Sequence, residues 1–456
     1  ILIQLWAPHE LPSPPNTMYR SLPLIGRYFS TRATSSTQLS SLVLPNLNRP
    51  TQRLQHKIPL SLRGHNLSQF SATDIQAALE EYKNKKQTSV SLETLLDTGS
   101  GKLLYASRFP ESKAEALGLT THERTVMQIA SFLRHELPVR LAHRASELRD
   151  LPHGLSASPS VQQVACWYEE SFIDIINCPD IDSMDSADQI ARTLQGIYSR
   201  HAETLVTIAQ GLIEFRKQKI AEGEPLHKYK QVHTFLDDFF LHRIGMRMLI
   251  GQYLEIREPP REGYVGMVCT STSAYQAIKE ASDHARFMCE RQFGDAPYVE
   301  IKGRTDLTFS YVPSHLYYML FEVLKNSMRA TVEHHATEDD PFPELPDVRV
   351  IISDGEDNED VVIKVSDEGG GFPRSHMRRI FSYLYTTASG NTVTNSAELK
   401  DFGIEGPLAG LGYGLPISRA YARYFGGDLS LVPMEGWGTD AFLHLSRLKN
   451  HREPLP

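Results

Sequence analysis

The chain has 456 residues, of which 41% are hydrophobic and 22% charged, and its formal net charge at pH 7 is −8. This composition is ordinary for a globular protein and excludes wholesale disorder and fibrous repeats, and the length predicts two or three domains. The acidic balance disfavours a nucleic-acid binder, and no apolar run reaches the ~18 residues of a membrane-spanning helix. The four cysteines form no CxxC pair, so neither a zinc site nor a disulfide scaffold is expected.

The first predicted segment, residues 1–64, is a leader that precedes the folded chain. Residues 11–73 contain no Asp or Glu, whereas Arg, Ser and Thr are frequent. A basic, hydroxyl-rich and acid-free composition is typical of a mitochondrial presequence. We place the presequence at about residues 18–33, because Met18 opens the basic part, and we expect residence in the mitochondrial matrix. The alternative interpretation is a disordered basic tail without a targeting role.

The next predicted region, residues 65–260, is helical. Apolar residues recur at helical spacing in four long segments, and Gly and Pro clusters separate these segments. Long amphipathic helices with short connections are typical of a helix bundle. We expect the four helical segments at 121–150, 160–178, 187–220 and 231–254.

The last predicted region, residues 265–450, mixes helices and strands. Residues 348–353 and 361–366 are expected to form two strands joined by a turn, and residues 442–445 are expected to form the last strand. The predicted fold class is therefore a four-helix-bundle-like domain followed by an α/β sandwich.

One helix of this region, residues 314–330, combines groups that could serve a nucleotide–magnesium site. Glu322 and Asn326 are four residues apart and share a face, with Arg329 beside them. An Asn side-chain oxygen can ligate a hard cation, and a Glu carboxylate can accept a proton from an attacking hydroxyl. Taken alone, such a helix is more often an ordinary surface helix.

Three glycine-rich segments accompany that helix. Residues 366–372 follow a predicted strand, and Asp367 among them could accept a hydrogen bond from an adenine amino group. Residues 409–416 precede a predicted helix at 417–424, and such a loop presents backbone N–H groups to phosphates. The third segment, 436–441, is expected just ahead of the last strand. Each of these signals is weak by itself.

Together, in this order and spacing, the four segments resemble the Bergerat ATP-binding fold of the GHKL superfamily, which includes DNA gyrase, heat-shock chaperones, mismatch-repair ATPases and histidine kinases. The resemblance narrows to the mitochondrial 2-oxoacid dehydrogenase kinases and covers about residues 70–448. The stretches that carry the narrower resemblance are 132–142, 243–250, 321–333, 381–388 and 412–419.

The resemblance implies ATP and Mg²⁺ as cofactors and a role for each matching residue. Glu322 would be the general base that activates a substrate serine, and Asn326 would hold Mg²⁺. Residues 389–408 would form a mobile ATP lid. The nucleotide site would comprise Glu322, Lys325, Asn326, Arg329, Asp367, Gly369, Gly371, Thr386, Thr387, Gly410, Leu411, Gly412, Tyr413, Gly414, Leu415 and Thr439.

The resemblance also implies partners for the helical region. It would dock the lipoyl domain of the acyltransferase core, and a keto-acid effector would bind at His201, Arg243 and Arg247. Arg243 and Arg247 are four apart on one helix and can share one carboxylate; the alternative is that they form salt bridges within the bundle. A homodimer is implied as well.

The substrate follows from details that point in two directions. Tyr198 stands where the pyruvate type usually has Arg, Tyr318 stands where it often has His, and the family's long C-terminal tail is not seen; these features favour the branched-chain member. Residues 381–388 and 434–441 favour the pyruvate member, which we prefer. The predicted function is a serine kinase that phosphorylates and inactivates the dehydrogenase component of the pyruvate dehydrogenase complex. A more remote alternative is a sensor-type histidine kinase that uses His135.

Overall fold

The computed structural model describes residues 72–102, 118–221, 230–337, 339–355, 359–377, 379–383 and 412–455. The predicted leader, the predicted lid and four of the predicted site residues, Thr386, Thr387, Gly410 and Leu411, lie outside these ranges. Across the described ranges, no helix is both long enough and apolar enough to span a membrane.

The first half of the described chain is built from helices, as predicted. The third of them begins at a capping box, in which Thr120 and Glu123 satisfy each other's backbone N–H groups. The helices are α1 (Ala72–Lys83), α2 (Leu92–Gly99), α3 (Thr121–Arg149), α4 (Pro159–Ile176), α5 (Met184–Arg200), α6 (Thr204–Ala221) and α7 (Lys230–Arg257).

One predicted segment, 187–220, is not a single helix. A 3₁₀ turn at His201–Glu203 separates α5 from α6. The side chain of His201 is buried there, and its ring meets Tyr168 edge-on at 4.5 Å between centroids. The break between the two helices therefore coincides with a residue that is buried in the core. Helical spacing in the sequence cannot reveal its contact with Tyr168.

The second half contains three further helices and two sheets. β1, β2 and β4 form an antiparallel sheet. The larger sheet has the order β3-β5-β6-β8-β7, in which β3 and β5 are parallel and the other pairs antiparallel. The elements are α8 (Ala274–Phe293), α9 (Pro313–His335), α10 (Gly414–Tyr424), β1 (Tyr264–Val265), β2 (Val268–Ser273), β3 (Val299–Gly303), β4 (Thr308–Tyr311), β5 (Val348–Asp354), β6 (Asp360–Asp367), β7 (Asp428–Met434) and β8 (Gly438–Ser446).

The larger sheet has one covered face and one open face. Along β5, Val348, Val350 and Ile352 are buried, whereas Arg349 and Ile351 between them are exposed. The covered face packs against α9 and α10. The predicted α/β sandwich after a helical region is thus confirmed, and the predicted strands at 348–353 and 361–366 correspond to β5 and β6.

Two predicted boundaries in this half are wrong. The helix expected at 417–424 already begins at Gly414, so Gly414 and Leu415 belong to α10 and not to the loop. The segment 436–441 does not wholly precede the last strand, because β8 begins at Gly438. Both shifts place glycines inside regular elements, at positions where another chain segment approaches too closely for a side chain.

Candidate functional site

Helix α9 presents a buried carboxylate at the centre of the site. Its apolar side chains Leu316, Leu320 and Leu324 are buried in the core, so the helix is held firmly along that side. Glu322 is only 5% exposed. Its Oε1 accepts a 2.6 Å hydrogen bond from the Nζ of Lys325, one turn along the helix. The ammonium group offsets part of the cost of burying the carboxylate.

Gly414, the first residue of α10, lies against this carboxylate. A Cβ atom at position 414 would be 2.0 Å from the Oε2 of Glu322, so any other residue there would have to displace this carboxylate. The N-terminus of a helix carries a partial positive charge that stabilises a nearby anion. The contact therefore gives the buried Glu322 carboxylate a second source of positive potential, and it joins α9 to the end of the glycine-rich loop.

Tyr318 lies one turn before Glu322 and cannot act as a charged partner for it. The residue is half-buried, its hydroxyl oxygen is buried, and its ring packs 5.2 Å from that of Tyr421. Burial is the main cause that raises the pKa of Tyr318 well above its ordinary value, and the negative charge of Glu322 raises it further. The hydroxyl therefore stays neutral at neutral pH.

Asn326 and Arg329 occupy the next turn of the same helix. Asn326 is exposed, so its amide oxygen is accessible to a ligand in solution. The Nε of Arg329 donates a 2.7 Å hydrogen bond to Glu333, one turn further along the helix. In this structure Arg329 is thus held toward the end of α9, away from Glu322.

Asp367 lies at the end of β6, where it is 7% exposed. Its Oδ1 accepts hydrogen bonds of 3.1 Å from the backbone N–H groups of Gly369 and Thr439. Burial raises the pKa of Asp367, and the hydrogen bonds from Gly369, Ser327 and Thr439 oppose that shift. Sequence reasoning missed Ser327, although its position directly after Asn326 was the signal that could have identified it.

Two glycines after Asp367 permit close contacts on either side of the loop. A Cβ at Gly369 would be 2.6 Å from the Cβ of Ala330 on α9. Gly371 has a positive φ of 61°, and a Cβ there would be 2.3 Å from the carbonyl oxygen of Met434. The loop is thereby held between α9 and the turn that joins β7 to β8.

The structure describes twelve of the sixteen predicted site residues; among them, Gly412 and Leu415 flank Tyr413 and Gly414 at the start of α10. One group converges around α9: Glu322, Lys325, Asn326, Arg329, Asp367, Gly369, Gly371, Gly414 and Thr439. Tyr413 differs, because its buried ring packs against Phe240 of α7 and against Tyr383, at centroid distances of 6.2 and 5.5 Å. Only the backbone of Tyr413 is therefore available to the site, and the same cluster joins α7 to the segment before the predicted lid.

The predicted effector residues line one cavity within the helical half. The space between its lining atoms, including the part open to solvent, is about 360 Å³, of which about 20 Å³ can hold the centre of a water-sized sphere. Most of the lining is apolar, and the polar groups come from α4, α5, α7 and the 3₁₀ turn between α5 and α6. The lining residues are Leu137, Leu141, Tyr168, Ile197, Tyr198, His201, Arg243, Met246, Arg247 and Ile250.

The two arginines of the cavity are held by backbone carbonyl groups. Arg243 donates to the carbonyl of His201 at 3.2 Å, and Arg247 donates to that of Tyr198 at 3.3 Å. The guanidinium of Arg247 also lies 3.9 Å from the centre of the Tyr198 ring, a cation–π contact. Tyr198 therefore orients Arg247.

His201 contributes a neutral ring to the cavity wall. Its Nε2 lies 2.9 Å from the hydroxyl of Ser171. Burial, and then the positive charges of Arg243 and its neighbours, lower the pKa of His201 to about 3. The positive charge of this cavity therefore comes from the arginines at neutral pH.

The class of protein is shown by a match of residues 311–449 to the model for "Histidine kinase-, DNA gyrase B-, and HSP90-like ATPase". This range contains α9, the two glycines after Asp367, and α10. Residues 106–269, in the helical half, match the model for "Mitochondrial branched-chain alpha-ketoacid dehydrogenase kinase".

Curated relatives then define the family. The [pyruvate dehydrogenase (acetyl-transferring)] kinase of Arabidopsis thaliana is 42% identical over 81% of this chain and 93% of its own length. The Schizosaccharomyces pombe protein of the same name is 35% identical over 73% and 91%, and human isozyme 1 is 37% identical over 71% and 74%. The chain belongs to the mitochondrial 2-oxoacid dehydrogenase kinase family, which confirms the resemblance inferred from its motifs.

Proposed function

We propose that this protein is an ATP-dependent serine kinase that phosphorylates and thereby inactivates the dehydrogenase component of the mitochondrial pyruvate dehydrogenase complex. The names of the relatives support the substrate. The observation that carries the activity is the convergence of the buried Glu322, the loop after Asp367 and the start of α10 around one helix. A carboxylate held next to a helix N-terminus can accept a proton beside a phosphate-binding loop.

Glu322 acts as the general base in this mechanism. Its carboxylate accepts the proton of the substrate serine as the hydroxyl oxygen forms a bond to the γ-phosphorus of ATP. The bond between the γ-phosphorus and the bridging oxygen breaks, and ADP leaves with that oxygen. Phosphoryl transfer depends mostly on positioning and on charge stabilisation, so Lys325 serves both purposes: it fixes Glu322 at 2.6 Å and brings positive charge near the phosphates.

Asn326 fits a role as a magnesium ligand. Its exposed amide group supplies the oxygen donor that Mg²⁺ prefers, and Mg²⁺ commonly takes few protein ligands beside substrate phosphates and water. When bound, the ion would neutralise charge on the phosphate oxygens. The predicted roles of Thr386, Thr387, Gly410, Leu411 and Gly412, and of the lid at 389–408, complete the phosphate-binding part of this proposal.

Asp367 reads the adenine base. One of its oxygens accepts from two backbone N–H groups, and Ser327 also donates to the carboxylate. These bonds fix the carboxylate in place, and its remaining lone pairs can accept from the adenine amino group. Gly371 would lie beneath the ring, and its positive φ of 61° lets the loop pack against the turn between β7 and β8. This division of roles assigns base recognition to the sheet and phosphoryl transfer to α9.

The helical half regulates and docks the kinase. We assign a 2-oxoacid effector to His201, Arg243 and Arg247, whose guanidinium groups would bind its carboxylate while the apolar wall receives its side chain. We place effector binding and lipoyl-domain docking in residues 65–260, and ATP binding in 265–450. The relatives are named as mitochondrial, and the acid-free leader fits import into the matrix.

A homodimer is part of the proposal. The open face of the larger sheet exposes apolar side chains, among them Ile351 and Val432 at 40% and 55%. Phe442 lies on the same face and is half-buried. Such residues on an uncovered sheet favour burial against a second subunit.

The choice of substrate is tested with purified complexes. The full chain is incubated with γ-labelled ATP and either the pyruvate or the branched-chain dehydrogenase complex. We expect label in the dehydrogenase component of the pyruvate complex, together with loss of that complex's activity. Faster labelling of the branched-chain complex would overturn the preferred substrate, and Tyr198 and Tyr318 would then be the features that had signalled it.

A further inference from the structure

The last described residues, 449–455, form a strap that returns across the helical half. The backbone N–H of Glu453 donates to the carbonyl of Val90 at 2.9 Å, and that of Glu93 donates to Lys449 at 2.8 Å. An antiparallel bridge between Ser91 and Arg452 lies between these two contacts. The strap follows the last strand of the sheet, so it connects the two halves of the described chain.

Glu453 carries a buried carboxylate at the centre of this strap; the residue is 4% exposed. Arg140 binds both of its oxygens, with a distance of 3.1 Å from Nη1 to Oε2. The Tyr424 hydroxyl donates to Oε2 at 2.9 Å, and the Val90 N–H donates to Oε1 at 3.1 Å. The charge is therefore paired and its lone pairs are hydrogen-bonded, as a buried carboxylate requires.

The partners of Glu453 belong to three separate elements besides the strap. Arg140 is on α3, and Tyr424 is the last residue of α10. Gly245, on α7, supplies the floor of the site, because a Cβ there would be 2.8 Å from the Oε2 of Glu453. One carboxylate thus ties the strap, two helices of the helical half and the helix that begins at the nucleotide site.

Helix α10 transmits this attachment to the nucleotide site. It has 11 residues, a length of about 16 Å. Tyr424 is bound at one end, and Gly414 lies against Glu322 at the other. Buried ion pairs contribute little net stability compared with apolar packing, and their best-supported use is to fix one arrangement of the chain.

We infer that Glu453 is a positioning residue for nucleotide binding: it fixes the orientation of α10 relative to the helical half, and with it the position of Gly414 beside Glu322. This inference rests on the proposed ATP site, since it specifies what holds one edge of that site in place. Glu453 itself touches neither ATP nor the substrate serine.

Three variants of the full chain test the inference. Glu453→Gln removes the charge that pairs with Arg140, and Tyr424→Phe removes only the hydroxyl that joins α10 to Glu453. Glu136→Gln is the matched control, because Glu136 also binds Arg140, at 2.9 Å, but its other partner, the N–H of Thr88, has no link to α10. Mg·ATP affinity is measured by calorimetry, and stability by urea unfolding.

We expect Glu453→Gln to weaken Mg·ATP binding about tenfold and Tyr424→Phe a few-fold, as for loss of a buried charged or neutral hydrogen bond. Adding Tyr424→Phe to Glu453→Gln should change the affinity little further, because both act through one contact. Glu136→Gln should lower stability without changing ATP affinity. If Glu453→Gln does not fold, Tyr424→Phe decides the matter alone.

Two results would overturn the inference. One is an ATP affinity unchanged in Tyr424→Phe and in any folded Glu453→Gln protein. The other is a loss of affinity in Glu136→Gln as large as that in Glu453→Gln, which would indicate a general loss of stability. A parent chain that binds Mg·ATP but labels neither dehydrogenase complex would refute the proposed function and leave this inference standing.

Discussion

The nucleotide site around α9 and the cavity of the helical half differ in how much of their polar chemistry faces solvent. On α9, Asn326 is exposed and Lys325 is half-buried, although both are within one turn of the buried Glu322. In the cavity, His201 and Arg243 are only 7% and 4% exposed. An exposed site suits the exchange of a nucleotide and access by a protein substrate, whereas a cavity with buried polar groups suits a small ligand.

The electrostatics of the two regions differ as well. On α9 a negative charge is buried and is compensated by Lys325 and by the N-terminus of α10. In the cavity two positive groups are held by carbonyl oxygens beside a neutral His201. The first arrangement can accept a proton, and the second can bind an anion. The comparison predicts that substitutions in the two regions affect different measurements.

The largest effect is expected from Glu322→Gln, which keeps the size of the side chain and removes the base. Transfer to the dehydrogenase should fall about 10²–10⁴-fold, the typical contribution of a positioned base, while Mg·ATP binding stays close to that of the parent. Labelled phosphate measures transfer to the dehydrogenase, and calorimetry measures Mg·ATP binding. Glu290→Gln, on the exposed side of α8, is the control and should leave both unchanged. Near-parental transfer by Glu322→Gln would show that another group is the base.

Gly414→Ala should have the next largest effect. Its Cβ would lie 2.0 Å from the present position of the Glu322 Oε2, so the carboxylate would have to move. Misplacing a catalytic group by about 1 Å can cost ~10²-fold in rate. Gly196→Ala, within α5, is the matched control, since a Cβ there has no neighbour within 4 Å. Equal transfer rates for the two variants would refute the close contact between α10 and Glu322.

Asn326→Ala should mainly reduce binding. Loss of an oxygen ligand to a charged group corresponds to roughly a ten- to hundredfold weaker affinity for Mg·ATP. Calorimetry with and without Mg²⁺ measures this, and Asn326→Asp is the control because it retains an oxygen donor. A loss that is equally large in the absence of Mg²⁺ would contradict the assignment of Asn326 as a metal ligand.

Arg247→Ala should weaken inhibition by a 2-oxoacid, because it removes one of the guanidinium groups of the cavity. About a tenfold higher concentration of the 2-oxoacid should be needed for half-inhibition. The same titration with pyruvate and with branched-chain keto acids also reveals which effector the cavity prefers. Arg257→Ala, at the end of the same helix, should leave inhibition unchanged. Equal inhibition of Arg247→Ala and the parent would favour the alternative that this arginine is purely structural.

The smallest effect concerns pH and stability. Burial lowers the pKa of His201 and of His315 to about 3, below the ~6.5 of an unfolded chain. Between these two pKa values the unfolded state therefore binds more protons than the folded state. The stability that depends on neutral histidines is fully present above pH 6.5 and is lost as the pH falls. Each histidine should lower the free energy of unfolding by about 1–2 kcal/mol when the pH falls from 7 to 5. Urea unfolding at both pH values should show a smaller loss for His315→Leu than for the exposed control His334→Gln; identical losses would contradict the burial argument.

Local patterns predicted the elements better than the contacts between them. The apolar runs at 348–353 and 361–366, separated by a turn, predicted β5 and β6, and helical spacing predicted α9 and α7. The start of α10 was misplaced because the reason for Gly414 is the distant Glu322, on another helix. Glu453 was missed for the same cause, since its partner Arg140 is 313 residues away. No short-range periodicity records such a pair.

The central claim is direct transfer from ATP to a serine with Glu322 as the base, and the competing mechanism passes the phosphate through His135. His135 is exposed on α3, and its Nδ1 lies 2.7 Å from the carbonyl of Ser131. The most direct test is to quench the reaction of the full chain, γ-labelled ATP and the pyruvate dehydrogenase complex within one turnover, and then to measure the acid stability of the bound label. We predict acid-stable phosphoserine on the dehydrogenase; acid-labile label on the kinase, lost in His135→Gln, would contradict it.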